Sequence, residues 1–216
     1  MKTLRIDLVS DVVCPWCAIG LASLEQALQR LQGEVVADIH FQPFELNPQM
    51  PAEGESIAEH LQRKYGMSDM QLAENQERIR ARGAELGFVF DFNARSRIWN
   101  TFDAHRLLHW AGLEGKQLEF KQALLRAYFS EGRNVSDHAM LAAIAADAGL
   151  DAERARAILA SGEYAGEVRE AEQFFLHNGI NGVPAVIIER KHLISGGQPV
   201  EVFEQALREI AAANAG

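Results

Sequence analysis

Cys14 and Cys17 are the only thiols of the chain, and they flank Pro15 and Trp16 as Cys-Pro-Trp-Cys. A disulfide stabilises a fold mainly by closing a long loop of the unfolded chain, and a bridge over two residues closes almost none. The spacing therefore points to chemistry at sulfur rather than to a structural staple. Two other uses compete. Two buried small hydrophobes would not demand this spacing, and a tetrahedral zinc site needs two more ligands from elsewhere. His105 and His109, four apart on an expected helix, could supply them, but packing or solvated histidines fit the same spacing, and no metal is expected.

The flanking residues say how the pair is held. Leu4, Ile6 and Leu8 alternate with Arg5 and Asp7, the period of a strand with one face toward a core. Beyond the cysteines, Leu24, Leu28 and Leu31 recur at helical spacing on a segment that stops at Gly33. The pair thus sits at a strand-to-helix junction. Unpaired N–H groups and the positive end of the helix dipole favour a thiolate there, so Cys14 is expected to titrate below the free-thiol value of about 8.5. Pro15 suits a first turn, where it has no N–H to lose. Cys14 is expected at the exposed end of the helix, and Cys17, one turn further in, is expected to be the more buried sulfur.

A second strand is expected over residues 38–44, ending at Asn47-Pro48. From about 55 to about 178 the pattern is helical. It opens with a capping box at Ser56-Ile57-Ala58-Glu59 and a second start at Ser68-Asp69-Met70-Gln71. Further helices are expected at about 100–112, 116–131, 136–148, 151–161 and 164–178. Arg78, Arg80 and Arg82 beside Glu77 and Glu85 read as a solvated helical face. Phe88, Phe90 and Phe92 alternate as a short strand or an apolar loop, with core packing favoured. Residues 184–188 and 192–195 form a hairpin around Glu189 to Lys191, and Val200, Phe203, Leu207 and Ile210 mark a last amphipathic helix.

With 216 residues, 48% of them hydrophobic, the chain can build a large core without disulfides or metals, and disorder is excluded. A net charge of −9 would repel phosphate backbones and anionic lipid, so neither nucleic acid nor membrane is an expected partner. The apolar runs are far shorter than the roughly 18 to 20 residues that span a bilayer. The start, Met-Lys-Thr-Leu-Arg-Ile-Asp-Leu, reads as a strand and not as a signal peptide.

Cys14-Pro15-Trp16-Cys17 after the first strand, with Gly182-Val183-Pro184-Ala185 opening the third, resembles the thioredoxin superfamily. The helical stretch between them is similar to the DsbA family. Ser10 to Cys17, Phe44 to Pro48, Asn100 to Arg106 and Ser195 to Gln198 resemble its FrnE-like branch. The resemblance covers essentially the whole chain. It implies an α/β fold: a thioredoxin-like domain over residues 1–50 and 179–216, interrupted by an all-helical insertion over 51–178. It departs from periplasmic DsbA in having Trp16 where that protein has a histidine. It departs from plain thioredoxins in having Leu8 where they bury an acid, which leaves Asp11 or Glu45 as the candidate internal base for Cys17.

The implied activity is that of a protein disulfide oxidoreductase or isomerase. Cys14 exchanges with a disulfide or thiol of a protein or small molecule, and Cys17 resolves the mixed disulfide. No cofactor is expected beyond the redox-active Cys14–Cys17 disulfide. A thiol reductant or oxidant would be the redox partner. Pro15, Trp16, Val183 and Pro184 are the expected substrate contacts, with Trp16 expected to be exposed between the cysteines and Val183-Pro184 expected to be cis and to lie beside Cys14. The alternative is a glutathione-dependent transferase or isomerase of the kappa-class or hydroxychromene-carboxylate type, which generally does without paired cysteines. A binding module with inert sulfurs is a third class. A lone C-x-x-C of this kind is expected in a reducing cytoplasm.

Overall fold

The structure, a computed structural model, describes residues 2–213. Its first strand, β1 (Lys2–Ser10), runs into a short turn and then α1 (Pro15–Arg30), and β2 (Val35–Pro43) returns parallel to β1, with Leu4 opposite Ala37 and Leu8 opposite Phe41. A parallel return needs a crossover, and α1 provides it. Much later in the chain, β5 (Ala185–Ile188) pairs antiparallel with β1, and β6 (His192–Ser195) pairs antiparallel with β5. The sheet order is β2-β1-β5-β6. The expected three-residue hairpin is present, with Glu189 and Arg190 both at positive φ (54° and 56°), the handedness that a tight hairpin turn requires.

Between the halves of this sheet lie β3 (Glu55–Ser56), α2 (Ile57–Tyr65), α3 (Asp69–Glu85), β4 (Arg97–Ile98), α4 (Phe102–Leu113), α5 (Gln117–Phe129), α6 (His138–Asp147), α7 (Ala152–Ala160) and α8 (Ala165–His177). α9 (Val200–Ala213) closes the chain and packs on α1. Among the described residues no helix is long and apolar enough to cross a membrane. The five helices expected after residue 100 appear within about two residues of their expected limits. Ser68 and Gln71 form the expected capping box. Ser56 does stand at the start of α2 but makes no side-chain cap; it belongs instead to the short two-stranded sheet of β3 and β4, and the Ile57 N–H donates to the Ser96 carbonyl. Phe88, Phe90 and Phe92 form no strand. They lie in a loop, where Phe90 is buried and packs 5.1 Å, ring to ring, from Phe129.

Leu4, Ile6 and Leu8 are completely buried in the main core with Phe203, Leu207 and Ile210 of α9. Val9, on the opposite side of β1, buries in a second cluster with Phe44, Phe175 of α8, Ile180 and Ala185. Both faces of β1 are therefore covered, as a central strand requires. Burying each side chain of this kind contributes about 1.5–3 kcal/mol.

Two glycines let three segments meet around the start of α1. A β-carbon on Gly20 would lie 3.1 Å from Pro184 Cγ, and one on Gly197 would lie 2.9 Å from the Trp16 carbonyl oxygen and 3.3 Å from Ile19 Cγ2. The backbone oxygen cannot move aside without shifting the helix start. Gly197→Ala is therefore expected to lower stability by about 1–3 kcal/mol through overpacking. The check is the urea midpoint, and an unchanged midpoint would show that the turn after β6 yields freely.

Candidate active site

Cys14 is the N-cap of α1, with extended backbone (φ −91°, ψ 113°), and Pro15 occupies the first helical turn. No acidic residue stands in that turn, and the positive helix end favours a thiolate there. The Cys14 carbonyl accepts from Cys17 N–H at 3.0 Å, which carries the chain round one turn and sets Cys17 behind Cys14. Both cysteines are free thiols. Cys17 is 1% exposed and Cys14 4%. Cys14 is thus not at an open helix end as expected. It lines a cavity roofed by α2 and α3.

The Val183–Pro184 bond is cis, and the Cys14 Sγ–H points at the Val183 carbonyl, 3.8 Å away. Pro184 is buried and Val183 half-buried. The loop is tied to the turn after β6 by Gly196 N–H donating to the Pro184 carbonyl at 2.8 Å. Trp16 is half-buried rather than exposed. It packs on the core, with the Arg78 guanidinium 5.5 Å from its ring centre. Arg80 pairs with Glu77 on a solvated face and Arg82 pairs with Glu85 but is half-buried, whereas Arg78 covers the residue between the cysteines.

Beneath the sulfurs lies a buried charged cluster. Asp11 is fully buried, and its carboxylate accepts from Leu46 N–H at 2.8 Å and Val13 N–H at 3.5 Å. His105 Nε2–H donates to the Phe44 carbonyl at 3.1 Å and lies 3.6 Å from Asp11 Oδ1. Burial alone would raise the Asp11 pKa, but His105, the Leu46 N–H and the charge on Lys121 outweigh it and hold it below the ordinary value. A carboxylate so stabilised is a fixed anion at neutral pH and a poor proton acceptor. Lys121 on α5 is 1% exposed, with its ammonium 5.7 Å from the Phe41 ring centre and without a hydrogen-bond partner among the described residues. Burial lowers its pKa, while Cys17, Asp11 and Cys14 work in the other direction. Burial pushes the Cys17 thiol well up, and the adjoining Cys14 adds to this. Lys121 is the side chain that draws it back down. A cavity of about 270 Å3 lined by His105, His109, Gln117 and Lys121 adjoins the cluster.

Glu45 faces elsewhere. It pairs with Arg169 of α8, which also binds Glu172 at 2.8 Å and lies over the Phe102 ring. Burial, with the Glu172 carboxyl adding to it, raises Glu45 from its ordinary 4.5 to about 7 despite Arg169. The fold holds a proton that the unfolded chain releases near 4.5. The stability Glu45 contributes is therefore full below about pH 4.5 and lost as pH rises to about 7. The urea midpoint should fall across that interval, and Glu45→Gln should flatten the fall. A wild-type midpoint flat from pH 4.5 to 7 would contradict this assignment.

The zinc arrangement does not assemble. His105 turns to Phe44 and Asp11, and His109 packs against Tyr164 with ring centres 5.1 Å apart and planes tilted by 36°. Among the described residues no three His, Cys, Asp or Glu side chains converge as a metal site. Sequence reasoning missed Lys121 and also Arg95, a buried residue in the wall of the cavity that Cys14 lines. Lys121 had a readable signal, since 121, 124, 125 and 128 share a helical face whose other members are the buried Leu124, Leu125 and Tyr128. Arg95 lies in an aperiodic loop and had none.

A β2-β1-β5-β6 sheet carrying a C-x-x-C at the start of its first helix, opposite a cis-proline loop and beside a helical insertion, defines a thioredoxin-fold oxidoreductase of the DsbA type. Residues 5–208 match the DSBA-like thioredoxin domain, and the chain belongs to that family. It is similar to the crystal structure of a probable DsbA oxidoreductase from Streptomyces coelicolor, with 36% identity and a TM-score of 0.89 over 97% of this chain and 90% of that one. It is 27% identical to the uncharacterised protein YwbO of Bacillus subtilis, covering 96% of this chain and 97% of that protein. The cytosolic disulfide reductase DsbM of Pseudomonas aeruginosa, solved with GSH, shares the fold at 17% identity and a TM-score of 0.64, over 97% of this chain and all of that one.

Proposed function

We propose that the protein is a thiol–disulfide oxidoreductase of the FrnE-like branch, with Cys14 as nucleophile and Cys17 as resolver. The observation that carries this reading is the asymmetry of the pair. Cys14 caps α1, faces the Val183 carbonyl and lines a cavity, while Cys17 is sealed behind it. In the reducing direction the Cys14 thiolate attacks a substrate disulfide and expels one thiolate. Cys17 then displaces the second thiol, leaving the Cys14–Cys17 disulfide for a thiol reductant to reopen. Run backwards, the same steps oxidise a dithiol. The exchange uses no organic cofactor.

In this reading residues 1–50 and 179–216 supply the sulfurs and the Val183–Pro184 loop, and 51–178 supply the roof. Pro15, Trp16, Val183 and Pro184 form the contact surface for the substrate sulfur. A reducing compartment such as the cytoplasm suits a pair that is oxidised only in passing. A glutathione-dependent transferase or isomerase would use the same cavity but would not need both sulfurs. Thiol titration with and without reductant, followed by insulin-reduction and oxidative-refolding assays, tests the reading. Two titratable thiols that disappear on oxidation, together with turnover in either assay, are expected. Two inert thiols without turnover would refute it.

A further inference from the structure

We propose that Arg95 is a receptor for a substrate carboxylate, so that the compound exchanging with Cys14 is a small thiol or disulfide bearing an acid group. This rests on the thiol–disulfide reading above and names its substrate class.

Arg95 is 8% exposed and lines the same cavity as Cys14. Its side chain makes no hydrogen bond or ion pair among the described residues, and its Nε is cut off from solvent without a partner. Three aromatic rings surround it instead. Its Cζ lies 5.0 Å from the ring centre of Phe92, 5.2 Å from Tyr128 and 5.0 Å from Phe129. These rings stabilise the charge but use none of its directional N–H donors. Burial lowers its pKa, as expected of a guanidinium without an anion.

The cavity wall points the same way. In a chain of net charge −9 it contains Lys64 and Arg95 but no Asp or Glu. Lys64 is anchored to the Leu46 carbonyl and the Asn47 side chain, which leaves Arg95 as the cation with free donors. A planar carboxylate fits the guanidinium fork with two parallel hydrogen bonds. The volume, about 330 Å3, is that of a small-molecule site. One disulfide of the ligand accepts two electrons and two protons from Cys14 and Cys17, giving two ligand thiols and the Cys14–Cys17 disulfide. A thiol reductant returns the pair to the dithiol.

The test compares dithiodipropionic acid with its bisamide, the same disulfide without charge, using the reduced full chain. The readout is the ratio of their kcat/KM values. The wild type is expected to favour the acid by about tenfold or more, the worth of a charge-assisted hydrogen bond. Arg95→Met should bring the ratio close to one, and Arg95→Lys should give an intermediate value. A second arm needs no variant: methylthiopropionic acid, which has no disulfide, should protect Cys14 from iodoacetamide better than its amide does. Equal wild-type rates for acid and amide, a ratio unchanged by Arg95→Met, equal protection, or a preference confined to acidic peptides would each overturn the proposal. Turnover of neither disulfide while insulin is still reduced would also overturn the proposal, whereas two inert thiols and no turnover of insulin either would defeat the thiol–disulfide reading itself.

Discussion

Cys17→Ser should accumulate a covalent adduct between Cys14 and its substrate, whereas Cys14→Ser should lose disulfide exchange to background. The argument is positional. The substrate-facing sulfur is the one that lines the cavity and caps α1, and the sealed Cys17 can reach only the bond that Cys14 has already formed. The high Cys17 pKa has the same sense, because burial keeps it a thiol until a mixed disulfide draws it into reaction. Mass spectrometry of each variant after incubation with a disulfide substrate provides the check. An adduct on Cys17 in the Cys14→Ser protein would reverse the assignment.

Lys121→Met should slow resolution and move its pH profile upward. Lys121 is a positioning residue that acts on Cys17 through its charge, and it is the side chain that lowers the Cys17 pKa. Removing an opposite charge of this kind shifts a pKa by about one unit or more. The resolution step should therefore fall about tenfold at neutral pH, and its pH profile should move upward by about one unit. Stability should fall as well, by up to about 3–5 kcal/mol, because Asp11 loses the buried cation that balances it, so the shift of the pH profile and not the rate alone carries the test. Lys121→Arg, which keeps the charge, should retain the wild-type pH profile. A Lys121→Met protein with an unshifted profile would reduce Lys121 to a packing residue.

The sheet and most helices were legible because their burial repeats. Leu4, Ile6 and Leu8 alternate, and Val200, Phe203, Leu207 and Ile210 recur at helical spacing, so the periodicity itself encodes which face is inside. β3 and β4 were not legible, since two-residue strands have no period to detect. The cysteine pair and the Val183–Pro184 loop were legible as motifs. The exposure of Cys14 and Trp16 was not, because the roof over them comes from α2 and α3, some forty to seventy residues away in sequence. For the same reason the internal base was sought among acids near the sulfurs. The buried group acting on Cys17 is instead a lysine from α5, and Asp11 is the anion that balances it.

The central claim is that Cys14 and Cys17 form one reversible redox couple. An equilibrium titration of the purified chain against mixtures of oxidised and reduced dithiothreitol, read as the fraction of Cys14–Cys17 disulfide by acid-quenched alkylation and mass, tests it directly. The expected result is a single transition with two-electron slope, in which both thiols are lost together and recovered together. Independent modification of the two cysteines, or no intramolecular disulfide under any poise, would contradict it.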